Sequence, residues 1–195
     1  MAGGRPREFD ADEALDRALR VFWQRGYEGA ALSDLTAAMG INRPSLYAAF
    51  GNKESLFRKA VERYTDEQAA HVRDALLQPT ARAVAEHMLR GAADVSTQPD
   101  CPQGCLSLQG GLAMGEASEP ARQQLADWRR TGEVGLRVRF ERAQAEGDLP
   151  GDVDAGDLAK FVAVIAQGIS VQAADGVSRE QLHRMVELAL RAWPS

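Results

Sequence analysis

Arg43, Pro44, Ser45 and Tyr47 fall within one short stretch, and Lys53 follows it closely. These side chains suit contact with a duplex. A forked guanidinium pairs bidentately with a guanine edge, worth about 1–3 kcal/mol of discrimination. A proline packs on a thymine methyl, a serine donates to a phosphate or base, and a tyrosine hydroxyl or an ammonium meets a phosphate. Ser33 and Asn42 add polar groups just before them. A surface arginine is usually only solvated. The place of Arg43 at the start of a helix that enters a groove reverses that expectation.

The elements that must hold these residues lie in residues 20–57. A first helix ends at Gly26, and a short one over residues 32–39 stops at Gly40. A third runs from Asn42 or Arg43 to Phe50, with Pro44 in its first turn, where a missing N–H costs nothing. Gly40 supplies a left-handed residue for a sharp turn between helices. Ala37, Ala38 and Ala48 permit close approach, while Leu32, Leu35, Met39, Ile41, Leu46 and Phe50 supply a small core. This pattern is a helix-turn-helix, which offers the start of its second helix to the major groove of DNA.

The same stretch resembles the N-terminal domain of the tetracycline-repressor (TetR/AcrR) family of transcriptional regulators. The matching residues are Phe22, Gly26-Tyr27, Leu35, Ala38, Gly40-Ile41, Leu46-Tyr47, Phe50, Asn52-Lys53-Glu54 and Leu56-Phe57. Beyond the first 65 residues or so the likeness is one of architecture, strongest in AEGDLPGDVD and the helices after it. The resemblance implies that Arg43, Pro44, Tyr47 and Lys53 face DNA. It implies an all-α fold: a three-helix DNA-binding domain over residues 1–51, then a ligand-binding and dimerisation bundle over 52–195. Two departures stand out. Ala30-Ala31 occupies the place where the family usually has a Thr or Ser cap, leaving Ser33 as the nearest hydroxyl. Ala48 and Ala49 are small where larger readers could stand, so readout falls on Arg43 and few others.

The formal net charge of −5 argues against nucleic acid until its distribution is considered. Residues 1–58 hold eight Lys/Arg and eight Asp/Glu, so the remainder carries the whole excess. Arg43, Lys53, Arg58 and the N-terminal Arg5 and Arg7 can form a local basic face, the last two as an arm in a minor groove. A chain of 195 residues, 45% hydrophobic and 26% charged, has the composition of an ordinary soluble protein. No apolar run approaches a membrane span, and the N-terminus lacks the apolar core of a signal peptide. A cytoplasmic protein without membrane contact is expected.

Nine helices account for the pattern. Asp10 with Glu13 reads as a capping box opening the first. Asn52 caps a long fourth helix over residues 53–77, closed by Pro79. Further helices follow over 80–95, 105–115, 118–147 and 154–174, and a last one is opened by Ser178 and Gln181. The helix over 154–174 is apolar on more than one face, which predicts burial on both sides. The resemblance gives the second side to another copy of the chain. Phe161, Ile165, Gly168, Leu182, Met185, Leu188 and Ala189 are the expected homodimer interface. Two recognition helices about 34–36 Å apart then read a palindrome.

The resemblance also implies an effector pocket inside the bundle. His87, Met88, Cys105, Met114, Trp128, Phe140 and Phe161 are its candidate lining, suited to a hydrophobic or amphipathic small molecule. The spacing of Cys101 and Cys105 makes a poor zinc site, and no metal or cofactor is expected. The thiol of Cys105 stands at a predicted helix N-terminus, which favours a thiolate. An inert, buried Cys105 is expected, with a thiol-based sensor as the alternative, and Cys101 is expected to be exposed in its loop. His71, His87 and His183 are scattered without any catalytic motif, so no enzyme is expected. A ligand-released repressor is the leading reading. A protein-interaction module with a decayed head is a further alternative, suggested by Ala30-Ala31 and opposed by the intact Arg43 and Lys53.

Overall fold

The computed structural model of the chain describes residues 9–67, 70–109 and 119–194. Among these residues every regular element is helical, ten helices in all, with no strand. The first four are α1 (Ala11–Gly29), α2 (Leu32–Met39), α3 (Arg43–Phe50) and α4 (Lys53–Glu67). The Asp10 carboxylate opens α1 by accepting from the N–H groups of Asp12 and Glu13 at 2.9 and 3.1 Å. Gly26, at φ 69°, kinks α1 where its end was expected, and a further turn runs on to Gly29.

Gly40 closes α2 at φ 69°, ψ 26°. Its N–H donates to Ala37 and that of Ile41 to Thr36, satisfying carbonyls the helix leaves open. A Cβ there would meet nothing nearer than the Arg17 guanidinium at 3.5 Å. The cost of Gly40→Ala is therefore conformational, about 1–2 kcal/mol. Urea unfolding should show a lower midpoint at unchanged slope.

One apolar cluster binds these helices. Phe22, Trp23, Leu35, Leu46, Leu56 and Phe57 are its most buried large members. Met39 and Phe50 are buried with them, while Leu32 and Ile41 pack half-buried at its edge. The cluster extends to Leu106, Ala121 and Leu125, so the head is continuous with the helices behind it.

Asn52 caps α4, its side chain accepting from the N–H of Ser55 at 2.8 Å. The helix expected over 53–77 is described as α4 and, from Ala70, α5 (Ala70–Leu76), with residues 68–69 outside the described residues. The guanidinium of Arg73 donates to the carbonyls of Thr65 and Asp66, at 3.1 and 2.7 Å, and so ties α5 to α4.

The remaining helices are α6 (Ala81–Ser96), α7 (Leu106–Gln109), α8 (Glu119–Ala145), α9 (Ala155–Ala174) and α10 (Arg179–Arg191). Thr80, Asp154 and Ser178 cap α6, α9 and α10 through their side-chain oxygens. The expected cap Ser118 and the stretch after Gln109 lie outside the described residues. A second cluster, including Val84, Leu89, Phe140, Val162, Ile169 and Val186, fills the space between these helices.

The expectation that no apolar run reaches membrane-span length is corrected by α9. Its residues, Ala155–Ala174, are long and apolar enough to cross a membrane by length and composition alone. One side of α9, with Val162, Ile169 and Ala173, is spent in the intramolecular core.

Candidate nucleic-acid interface and ligand cavity

The head presents its polar readers together. Asn42 holds the start of α3, its side chain accepting from the N–H of Ser45 at 2.9 Å. That bond anchors the N-terminus of α3 and leaves Arg43 and Pro44 exposed ahead of it. Tyr47 is half-exposed at 49%, one turn further on. Ser33 is exposed on α2 and Ser45 is partly exposed. Three other arginines of this region are tied to acids: Arg17 to Glu13, Arg25 to Asp34 and Arg63 to Asp16. Arg43 has no acidic partner among the described residues. Its charge is uncommitted.

Lys53 differs from expectation in one respect. Its ammonium lies 4.6 Å from the centre of the Tyr27 ring, so part of what offsets its place at a helix N-terminus is intramolecular. Burial there lowers its pKa, while the carboxylate of Glu28 opposes the shift. Tyr27 is itself raised by burial, and further by Glu54 and Glu28. Tyr27 thus supports Lys53 from below, a role that its place in the Gly26-Tyr27 pair did not reveal.

Behind the head lies a cavity of about 340 Å³, between α4, α5, α6, α8 and α9. Of the expected lining, it brings together Met88, Cys105 and Trp128. Met114 lies outside the described residues. Three expectations are corrected among the described residues. His87 is half-buried on α6 but does not reach the cavity. Phe140 is fully buried away from it, edge-on to Trp193 at 5.7 Å. Phe161 points outward and is 39% exposed.

Sequence reasoning missed the polar side of the cavity, chiefly Tyr64, Arg129, Ser170 and Gln167. Tyr64 is 3% exposed and makes edge contacts to Trp23 of α1 at 5.0 Å and Trp128 of α8 at 5.8 Å. Its hydroxyl lies 3.2 Å from the Cys105 sulfur, which is also 3.1 Å from the Ser107 hydroxyl. Burial raises the Tyr64 pKa well above its usual value, and Cys105 adds to the shift. Cys105 immediately precedes α7, as expected, and is partly buried. Cys101 is also partly buried, its thiol directed at Gln98, and so is less open than its loop suggested. No group of three or more potential metal ligands occurs among the described residues.

The expected interface residues divide. Phe161, Met185 and Leu188 are exposed, and Gly168 faces open space. Ile165 and Ala189 are half-buried against the second cluster. Leu182 is 1% exposed, a core residue of the single chain, which corrects its assignment to an interface. Val164 and Val171, exposed at 57% and 44%, belong to the same apolar helix but were not among the expected interface residues. With Phe161 and Gly168 they form one stripe of α9 at spacings of three and four residues. That spacing was the available signal.

Family models place the chain. Residues 14–60 match the tetR family of bacterial regulatory proteins, and residues 79–189 match the tetracyclin repressor-like C-terminal domain. The chain belongs to the TetR family of transcriptional regulators. It is 36% identical over 193 residues to the HTH-type transcriptional repressor ComR of Escherichia coli K12, covering 98% of this chain and 92% of ComR. It is 30% identical over 186 residues to the repressor BdcR of the same organism, covering 92% and 86% of the two chains. Among solved structures it resembles a cysteine mutant of the TetR-family regulator CifR complexed with a 26 bp double-strand operator DNA. That likeness has a TM-score of 0.92 at 47% identity, covering 97% of this chain and 100% of that one.

Proposed function

We propose that the chain is a homodimeric transcriptional repressor that reads a palindromic operator and is released by a small-molecule effector. The observation that carries this reading is Arg43, exposed and without an acidic partner among the described residues, at the start of α3 in a head that matches the family model. Ser33, Asn42, Pro44, Ser45, Tyr47 and Lys53 surround it as phosphate and base contacts. The complex of the similar CifR mutant with operator DNA supports the assignment. The protein works without catalytic turnover and in the cytoplasm, where its DNA is. The domains divide near residue 52, with α4 as the rod between them.

Dimerisation rests on α9 and α10. Five large apolar side chains, Phe161, Val164, Val171, Met185 and Leu188, stand exposed there. A second copy covers them about a two-fold axis, burying roughly 800 Å² per partner. The paired change Met185→Glu and Leu188→Glu should yield folded monomers by analytical ultracentrifugation. The same variant should lose operator affinity by about 100-fold or more, since one head alone forgoes the effective concentration of its pair. A dimer that survives the double change would place the interface elsewhere.

Release follows from the position of Tyr64. It is a residue of the rod, part of the head's core through Trp23, and a wall of the cavity. A ligand that displaces Trp128 or Tyr64 acts directly on α4 and on the spacing of the heads. It acts only if it binds the spread state more tightly than the DNA-bound one. Titrating promoter DNA with protein, then adding effectors to the complex, tests the whole reading.

A further inference from the structure

We infer that the effector is an amphipathic small molecule carrying a carboxylate or similar anion, held by Arg129 on the cavity wall. This rests on the reading of the cavity as the effector site. Among the described residues, the cavity wall carries two arginines, Arg73 and Arg129, and one carboxylate, Glu133. Glu133 is already engaged by Lys160 from α9. Arg73 donates to the carbonyls of Thr65 and Asp66. Arg129 donates to one backbone carbonyl, that of Ser107, and has no acidic partner among the described residues. Burial lowers its pKa, an electrostatic cost that no carboxylate of the described chain offsets.

This cation sits in a chain whose net charge is −5, where acidic partners are abundant. The rest of the wall is of a different kind. Leu76, Met88, Leu136 and Trp128 supply apolar surface to the same cavity. The combination selects a molecule with one anionic head and a hydrocarbon or aromatic body. About 340 Å³ lies at the lower end of the range for small-molecule sites, so the body is short. The fork of Arg129 favours a planar carboxylate, which can accept two parallel hydrogen bonds.

The test uses the full-length dimer and a defined panel: hexanoate, octanoate, decanoate and phenylacetate. Each is paired with its primary amide and its amine, and binding is followed by calorimetry and by Trp fluorescence. At least one carboxylate should bind at least tenfold more tightly than its amide, while the amines do not bind. Arg129→Gln should remove that preference, weakening the carboxylate by about tenfold or more and the amide by less than about threefold. Arg129→Lys should retain part of it.

If Arg129 only pins α7 to α8, Arg129→Gln would weaken both partners of a pair equally, and the inference falls. Preferential binding of amides or amines would overturn it while upholding the cavity as an effector site. Failure of every compound to bind would overturn the anionic assignment. A shift of the protein–DNA complex by some uncharged molecule would then show that the effector reading survives without it.

Discussion

Arg43→Ala should abolish tight operator binding while leaving the protein folded and dimeric. The side chain is exposed and makes no contact on which the fold depends, and α3 keeps its Asn42 cap and Pro44. Two copies of the contact are lost per operator, each worth about 1–3 kcal/mol, so affinity should fall roughly 30-fold to 10⁴-fold. Arg43→Lys keeps the charge without the fork and should retain non-specific, salt-sensitive binding but little sequence preference. The measurement is fluorescence anisotropy with operator and scrambled duplexes. An Arg43→Ala protein that still distinguishes the two would move base readout to other side chains.

The second large effect concerns Phe57. It is fully buried and meets Phe22 and Tyr27 edge-on, each at 5.0 Å between ring centres. Phe57→Ala removes both contacts and leaves a cavity beneath α1 and α4, costing about 3–5 kcal/mol. That is a large part of a typical domain's stability of about 5–15 kcal/mol. Urea unfolding should show it as a lower midpoint. The ring on which Lys53 rests loses its support as well, so DNA affinity should fall even where the protein remains folded. A cost below about 1 kcal/mol would mean that the head core repacks freely around the gap.

The head was legible because its signals are local. Asp10, Asn42, Asn52 and Gly40 mark helix ends by their own chemistry, and each caps or turns where its type predicts. The contact between α5 and α4 was not legible: an arginine in a helical stretch does not announce that its guanidinium reaches the carbonyls of Thr65 and Asp66. The cavity was half legible for a similar reason. Met88 and Trp128 stand out as large apolar groups, but nothing in the local pattern separates them from Phe140, which serves only the core. Tyr64 and Arg129 owe their roles to helices far apart in sequence. Leu182 shows the limit of helical stripes: a wide apolar stripe has an inner and an outer edge, and periodicity alone does not say which residue lies on which.

The alternatives fare unequally. A decayed head is at odds with a three-helix unit whose caps, core and uncommitted Arg43 are all in place. Cys105 needs no sensing role to explain its surroundings, since its sulfur already sits between the hydroxyls of Tyr64 and Ser107.

The central claim is that this protein, as the proposed homodimer, reads DNA through α3. The most direct measurement is a titration of the purified, effector-free protein against duplex from its own upstream region, at low and at physiological salt. The expected result is saturable binding, two chains per palindromic site, with affinity that falls steeply as salt rises. A folded, dimeric protein that binds this duplex no better than a random one at low salt would contradict the claim.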